Sequence, residues 1–312
     1  MTRTLEDLCD GLMTDDEPMT RLEPEGFAAE FGAFFGLSGR PTLAELTDTF
    51  ERAGIGKVSA AKLPGDLRGI HYPLPDGGRA IHYQEGQWEA SCEYTVLHEG
   101  YEIVYETLWQ RSHGEASTQK VCPEADRFAA AVLMPPDTFA AYALASGLDV
   151  VALKNVFRCS YSAVAIRLGE VMDRQPLLAV LYERKQQGDP ACWSSPTRLA
   201  DLRVRVLKRT ADMGPSRSRL LNGCRGGILR KGKPLSAGSL AEQAARSGEP
   251  EYAEGDGIAV VATPVLWKGR LSKVVVVAVP RAQRRVLEPQ LGRRSWRCPQ
   301  GSSGPVPGFA AG

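Results

Sequence analysis

From the N-terminus, apolar positions first recur at helical spacing. In "EGFAAEFGAFFGL" Phe27, Phe31, Phe34 and Phe35 fall on one face. In "RPTLAELTDTFERAGI" Leu43, Leu46 and Phe50 form a second stripe, with Pro41 suited to a first turn and Gly54 to a stop. The period then shortens. "KVSAAKL", "LRGIHYPL" and "GRAIHYQ" read as extended pieces, with "PDGG" turning between the last two, and predict a small antiparallel sheet. A long helix is expected from about Trp88 to Trp109, followed by a polar loop, "RSHGEASTQKVCP". Four helical segments come next: "EADRFAAAVLM", "DTFAAYALAS", "LDVVALKNVF" and "SYSAVAIRLGEVM". The last two, joined by "RCS", have the form of a helix-turn-helix over 148–172.

Near residue 175 the texture changes. "PLLAVLYERK", "LADLRVRVLKR", "GIAVVATPVLW" and "LSKVVVVAVPR" are β-branched strand patterns, interrupted by one good helix, "SLAEQAARSG". The whole chain therefore reads as α+β. A helical extension is expected over 1–40, a mostly helical domain with a small sheet over 41–174, and a second α+β domain over 175–289. Residues 290–312, rich in Gly, Pro and Ser, are expected to be disordered. A length of 312 residues supports two domains.

Charge and cysteines narrow the function classes. A formal net charge of +1 removes any overall electrostatic case for nucleic acid or membrane surface. Seven scattered cysteines without a C-x-x-C pair argue against a disulfide framework or a cysteine zinc cluster and suit a reducing compartment. No apolar run approaches the roughly 20 residues of a membrane span, and the N-terminus lacks an apolar leader. A cytoplasmic protein is the expectation.

The chemistry sits in "YTVLHEGYEIVYETL". His98 and Glu102 are one helical turn apart on the same side, and Glu99 flanks them. This is the spacing of the H-E-x-x-H zinc helix, with glutamate in the last position. The alternative is a solvated acidic face of Glu93, Glu99, Glu102 and Glu106. His71 and His82, beside tyrosines in strand patterns, read as partly buried sheet residues. His113, in the polar loop, could fold back towards a metal. Tyr101 and Tyr105, one turn apart, read as packing or cleft residues.

Further motifs occur in order along the chain. Tyr94, Thr95, His98 and Glu99 are followed by Glu124, Ala125, Asp126, Phe128, Ala129, Leu133, Met134 and Pro135, then by Ser160, Ala163, Arg167 and Leu168. In this series the chain resembles the ImmA/IrrE metallopeptidases over roughly 41–172. The resemblance implies one divalent ion held by His98, Glu102 and Glu124, with Glu99 as general base; zinc is the expectation, and the second carboxylate at position 102 makes manganese the alternative. Asp126 is the substitute third ligand. It also implies a substrate protein, a helix-turn-helix repressor of the XRE type, cleaved to induce stress-response or mobile-element genes. The rival reading is a pseudopeptidase that acts by binding. Lys154, Arg158, Arg167 and Arg174 are too few to make the 148–172 segment a DNA reader, so it reads as the wall of a peptide groove. The second domain loosely resembles a GAF-type sensor, which implies a small ligand of unknown identity.

Overall fold

The structure, a computed structural model, describes residues 3–14, 17–117, 119–184, 198–214, 217–224 and 227–295. The chain divides into two compact units, residues 1–142 with 150–173, and residues 143–149 with 174–312.

The first unit opens with α1 (Leu5–Leu12), which the sequence reading did not anticipate; Thr4 and Asp7 close a capping box at its start. Next come α2 (Pro24–Phe35) and α3 (Leu43–Arg52). Pro41 precedes the N-cap of α3, because the Thr42 hydroxyl takes the capping role by accepting from the Glu45 N–H. Three strands follow, β1 (Lys57–Ala61), β2 (Gly69–Pro73) and β3 (Arg79–Gln84), then α4 (Glu89–His113). The remaining helices are α5 (Cys122–Leu133), α6 (Pro136–Ser146), α7 (Val150–Phe157) and α8 (Tyr161–Val171).

The small sheet is mixed. β2 and β3 form the antiparallel hairpin expected from "PDGG", but β1 adds to β3 in parallel, in the order β1-β3-β2. An alternating strand reads the same in either direction. The choice falls to packing, which brings β1 from the end of α3 to the far edge of the hairpin.

Helix α4 is the spine of this unit. It packs against α5, α3, β3 and β2, and from Cys92 to Tyr105 its buried residues lie on several faces. Phe27 and Phe31 of α2 form an aromatic cluster with Tyr101 of α4 and Phe128 of α5, mostly edge-to-face, with ring centroids of the contacting pairs 5.2–6.1 Å apart. Arg167 of α8 is fully buried. Its guanidinium donates to the Met134 carbonyl at the end of α5 (3.0 and 3.1 Å) and pairs with Glu25 of α2. Ordering α8 against α5 and α2 through one arginine fits the bidentate geometry of that side chain.

Two glycines set how closely the neighbours approach α4. A Cβ on Gly69 would collide with Thr95 and come within 2.8 Å of Glu99 Oε1, so the close approach of β2 to α4 needs a bare backbone at this position. A Cβ on Gly100 would press into the Phe50 ring, 2.6 Å from Cζ.

The second unit is a five-stranded antiparallel sheet in the order β5-β4-β8-β7-β6. Its strands are β4 (Leu178–Arg184), β5 (Leu202–Arg209), β6 (Glu251–Gly255), β7 (Ile258–Trp267) and β8 (Arg270–Pro280). Two short helices, α9 (Arg219–Asn222) and α10 (Leu240–Ser247), precede β6, and α11 (Glu288–Ser295) follows β8. Leu240, Ala241 and Ala244 of α10 join Val180, Val260 and Val276 in one apolar cluster on the sheet. The β6–β7 and β7–β8 turns are two-residue, Asp256-Gly257 and Lys268-Gly269, all at positive φ, which suits the twist of a tight hairpin. Strand β6, in "EYAEG", was not anticipated, because its alternation is acidic and half-buried. The tail expected to be disordered from 290 begins instead as α11; residues 296–312 lie outside the described residues. Among the described residues no single helix is long and apolar enough to cross a membrane.

Replacing Gly100 with alanine tests the α3–α4 contact. Alanine favours a helix by about 1 kcal/mol over glycine, but the added methyl overpacks Phe50. The variant is expected to lose about 1–3 kcal/mol of stability in urea unfolding. An unchanged or raised midpoint would show that Phe50 moves aside freely.

Candidate metal centre

Positions 98, 99 and 102 occupy the middle of α4, where the helix is most enclosed. The acidic residues do not form a solvated face: Glu93 and Glu99 are buried, and only Glu106 is largely open. Burying a carboxylate costs several kcal/mol unless it is paired, and each of these has a partner. Glu93 takes the Arg40 guanidinium at 3.1 Å. Glu99 Oε2 lies 2.7 Å from His71 Nδ1. Glu102 reaches His98, Cys122 and His71.

His98 Nε2 stands 3.5 Å from Glu102 Oε1, and Cys122 Sγ stands 3.3 Å from that same oxygen. The three donor atoms lie within 4.8 Å of one another. A tetrahedral ion with bonds of about 2.0–2.3 Å holds its donors about 3.3–3.8 Å apart; the imidazole and the thiol each stand at that spacing from Glu102 Oε1. The other ring nitrogen, His98 Nδ1, faces Asp126 Oδ1 at 3.0 Å. A carboxylate behind a histidine fixes the ring and leaves the opposite nitrogen for a metal. Asp126, expected as a substitute ligand, stands in this orienting place. Tyr94 supports the same turn by donating to the Asp126 carbonyl.

Glu124, assigned as third ligand by resemblance, is half-buried in the first turn of α5 and belongs to neither donor group among the described residues. Cys122, which no motif spacing marks as a ligand, opens that helix and takes the place near Glu102. Its only sequence signal is its position two residues before Glu124 in the same motif. His113 is not in a loop. It is the last residue of α4, its ring stacked on Trp109 at 3.9 Å, and 15 helical residues separate it from His98, about 22 Å along the axis.

His71 joins the site from β2, with Nδ1 at Glu99 and Nε2 3.2 Å from Glu106 Oε1. Strand alternation puts Gly69 and His71 on one face, and the bare backbone at Gly69 brings that face onto α4. His82 points elsewhere: its ring nitrogens meet Ser59 Oγ at 2.9 Å and the Tyr72 hydroxyl at 2.6 Å. Tyr101 is core, donating to the Leu22 carbonyl.

The carboxylates decide the protonation of both histidines. Burial pushes the His98 imidazole down, but Asp126 and Glu102 outweigh it and hold it at about 10; for His71, burial is outweighed by Glu106 and Glu99, at about 9. Glu102 is lowered, chiefly by His98, and hydrogen bonding to Glu102 raises the Cys122 thiol.

The chain matches the Peptidase_M78 family, described as the IrrE N-terminal-like domain, over residues 53–169. No curated protein matches it. Among solved structures it is similar to a Mycobacterium tuberculosis transcriptional regulator, at 14% identity and a TM-score of 0.55, covering 86% of this chain and 79% of that one. At that identity the likeness describes the fold.

Both histidine shifts are upward, so the stability they lend the metal-free protein is complete below the ordinary value of 6.5 and lost as pH rises through about 9 to 10. A ligand must shed its proton to bind a metal. Zinc binding near neutral pH is therefore expected to release about two protons, from His98 and Cys122, read by calorimetry in buffers of different ionisation enthalpy. Release of no proton would remove both from the ligand set.

Proposed function

We propose that this chain, whose residues 53–169 form an IrrE N-terminal-like domain, is a metal-dependent endopeptidase acting on a protein substrate. The observation that carries the reading is the convergence of donor atoms of His98, Glu102 and Cys122 within 4.8 Å of one another, with Glu99 one residue away on the same helix. The mixed nitrogen, oxygen and sulfur donor set favours zinc, with manganese the alternative. A bound divalent ion supplies Lewis-acid polarisation of a peptide carbonyl and of water. Asp126 holds the His98 ring so that Nε2 faces the ion. Glu102, one turn further along, and Cys122, in place of Glu124, would complete the set of donors that holds the ion. Glu99, buried beside them, accepts the proton from the attacking water and passes it to the leaving amine.

The substrate we favour is a helix-turn-helix repressor of the XRE type, whose loss would induce stress-response or mobile-element genes. Direct DNA binding is disfavoured, since cations of the 148–172 segment are already engaged. Lys154 lies over the Trp88 and Tyr161 rings, Arg158 pairs with Glu89, and Arg167 is buried with Glu25. For the second unit we retain the GAF-like sensor reading. The antiparallel sheet with α10 packed on it supports that reading.

One observation favours the rival, a binding regulator without hydrolysis: Glu99 Oε2 is already hydrogen-bonded to His71. Incubating the zinc-loaded protein with a candidate repressor separates the two on a gel. Glu99→Gln is expected to slow cleavage at least about a hundredfold with zinc content unchanged, whereas His98→Ala loses both. Wild-type protein that holds zinc but leaves every candidate intact supports the regulator. A Glu99→Gln variant that cleaves at the wild-type rate overturns the role given to Glu99.

A further inference from the structure

Glu102 has two carboxylate oxygens, and the site described above uses one. Oε1 faces His98 and Cys122; Oε2 lies 3.8 Å from His71 Nδ1, which is itself 2.7 Å from Glu99 Oε2. Donor atoms of His71, Glu99 and Glu102 all fall within 4.8 Å of one another. The arrangement repeats that on the other side of Glu102. There, His98 turns Nε2 inward while Asp126 holds Nδ1; here, His71 turns Nδ1 inward while Glu106 holds Nε2 at 3.2 Å. Each imidazole therefore turns one nitrogen towards its donor group, His98 Nε2 to Glu102 and His71 Nδ1 to Glu99 with Glu102 beyond it, and has a carboxylate behind the other, the support commonly found behind a metal-ligating histidine.

We propose that His71, Glu99 and Glu102 form a second divalent-cation site, with the Glu102 carboxylate bridging the two ions. This rests on the reading of His98, Glu102 and Cys122 as the first site. It accounts for glutamate at position 102: a carboxylate can give one oxygen to each of two neighbouring ions, whereas the ring nitrogens of a histidine point in divergent directions. An octahedral ion with bonds of about 2.1 Å holds adjacent donors about 3 Å apart, and the distances of 2.7 and 3.8 Å bracket that value. The entering cation takes the place of the hydrogen bond between His71 and Glu99. One imidazole and two carboxylates make this site harder than the first, which suits manganese. While it is filled, Glu99 is a ligand, so proton transfer belongs to the singly loaded protein.

Full-length protein loaded with zinc and freed of excess is titrated with manganese, and the free ion is followed by its electron-spin resonance signal. About one equivalent of manganese is expected to bind on top of about one of zinc. His71→Ala should abolish the manganese binding and keep the zinc. Glu106→Gln, at an exposed position that folding does not depend on, should weaken manganese binding at least about tenfold and leave zinc unchanged. Glu102→Gln should lose both ions. No manganese uptake by zinc-loaded protein, or uptake insensitive to His71→Ala, overturns the second site. Loss of only one ion in Glu102→Gln overturns the bridge. Failure to hold zinc at all sinks the first site instead, so the two failures are told apart.

Discussion

The first unit depends on one constraint: α4 carries carboxylates into the interior, and each must find a partner there. Glu93 is fully enclosed and takes Arg40, whose guanidinium also donates to the Phe157 carbonyl at 2.5 Å and so ties α7 to the same place. Glu99 takes His71, which requires β2 to lie against α4, and that requires Gly69. Glu102 takes His98 and Cys122, which requires the start of α5 to lie beside the middle of α4. An unpaired buried charge costs far more than the pair gains. The partners of these three glutamates thus arrange the strands and helices around the spine.

This arrangement gives the candidate centre its character. The same pairing that makes burial tolerable also places nitrogen, oxygen and sulfur donors around Glu102 and puts a carboxylate behind each imidazole. The second unit follows a different economy. Its sheet is held by aliphatic packing, with Val180, Val260 and Val276 under α10, and its hairpins are set by two-residue turns at positive φ. Function in the first unit is a matter of polar pairing, and the second supplies an apolar sheet of separate design.

Much of the fold was legible. Helical spacing located α2 to α8 and α10, β-branched runs located four of the five strands of the larger sheet, and the order of motifs pointed to the IrrE N-terminal-like domain. What escaped has local causes. The acidic β6 lacks a strand's apolar alternation, α1 is short and marked mainly by its cap, and the direction of β1 leaves no trace in its own residues. Within the site, His98, Glu99 and Glu102 were visible because a helix repeats every 3.6 residues and puts the first and last on one side. His71 and Cys122 were not, since neither lies at a fixed spacing from α4.

The sequence by itself determined that α4 is a helix, that His98 and Glu102 share a side of it, and that the chain is α+β. These follow from periodicities that act within a few residues. Only the tertiary structure decided what faces that side. Twenty or more residues separate Cys122, Asp126 and His71 from their α4 partners, and nothing local specifies such a distance. The choice is made where buried carboxylates must be paired and where a bare glycine allows a strand to come close enough to pair them.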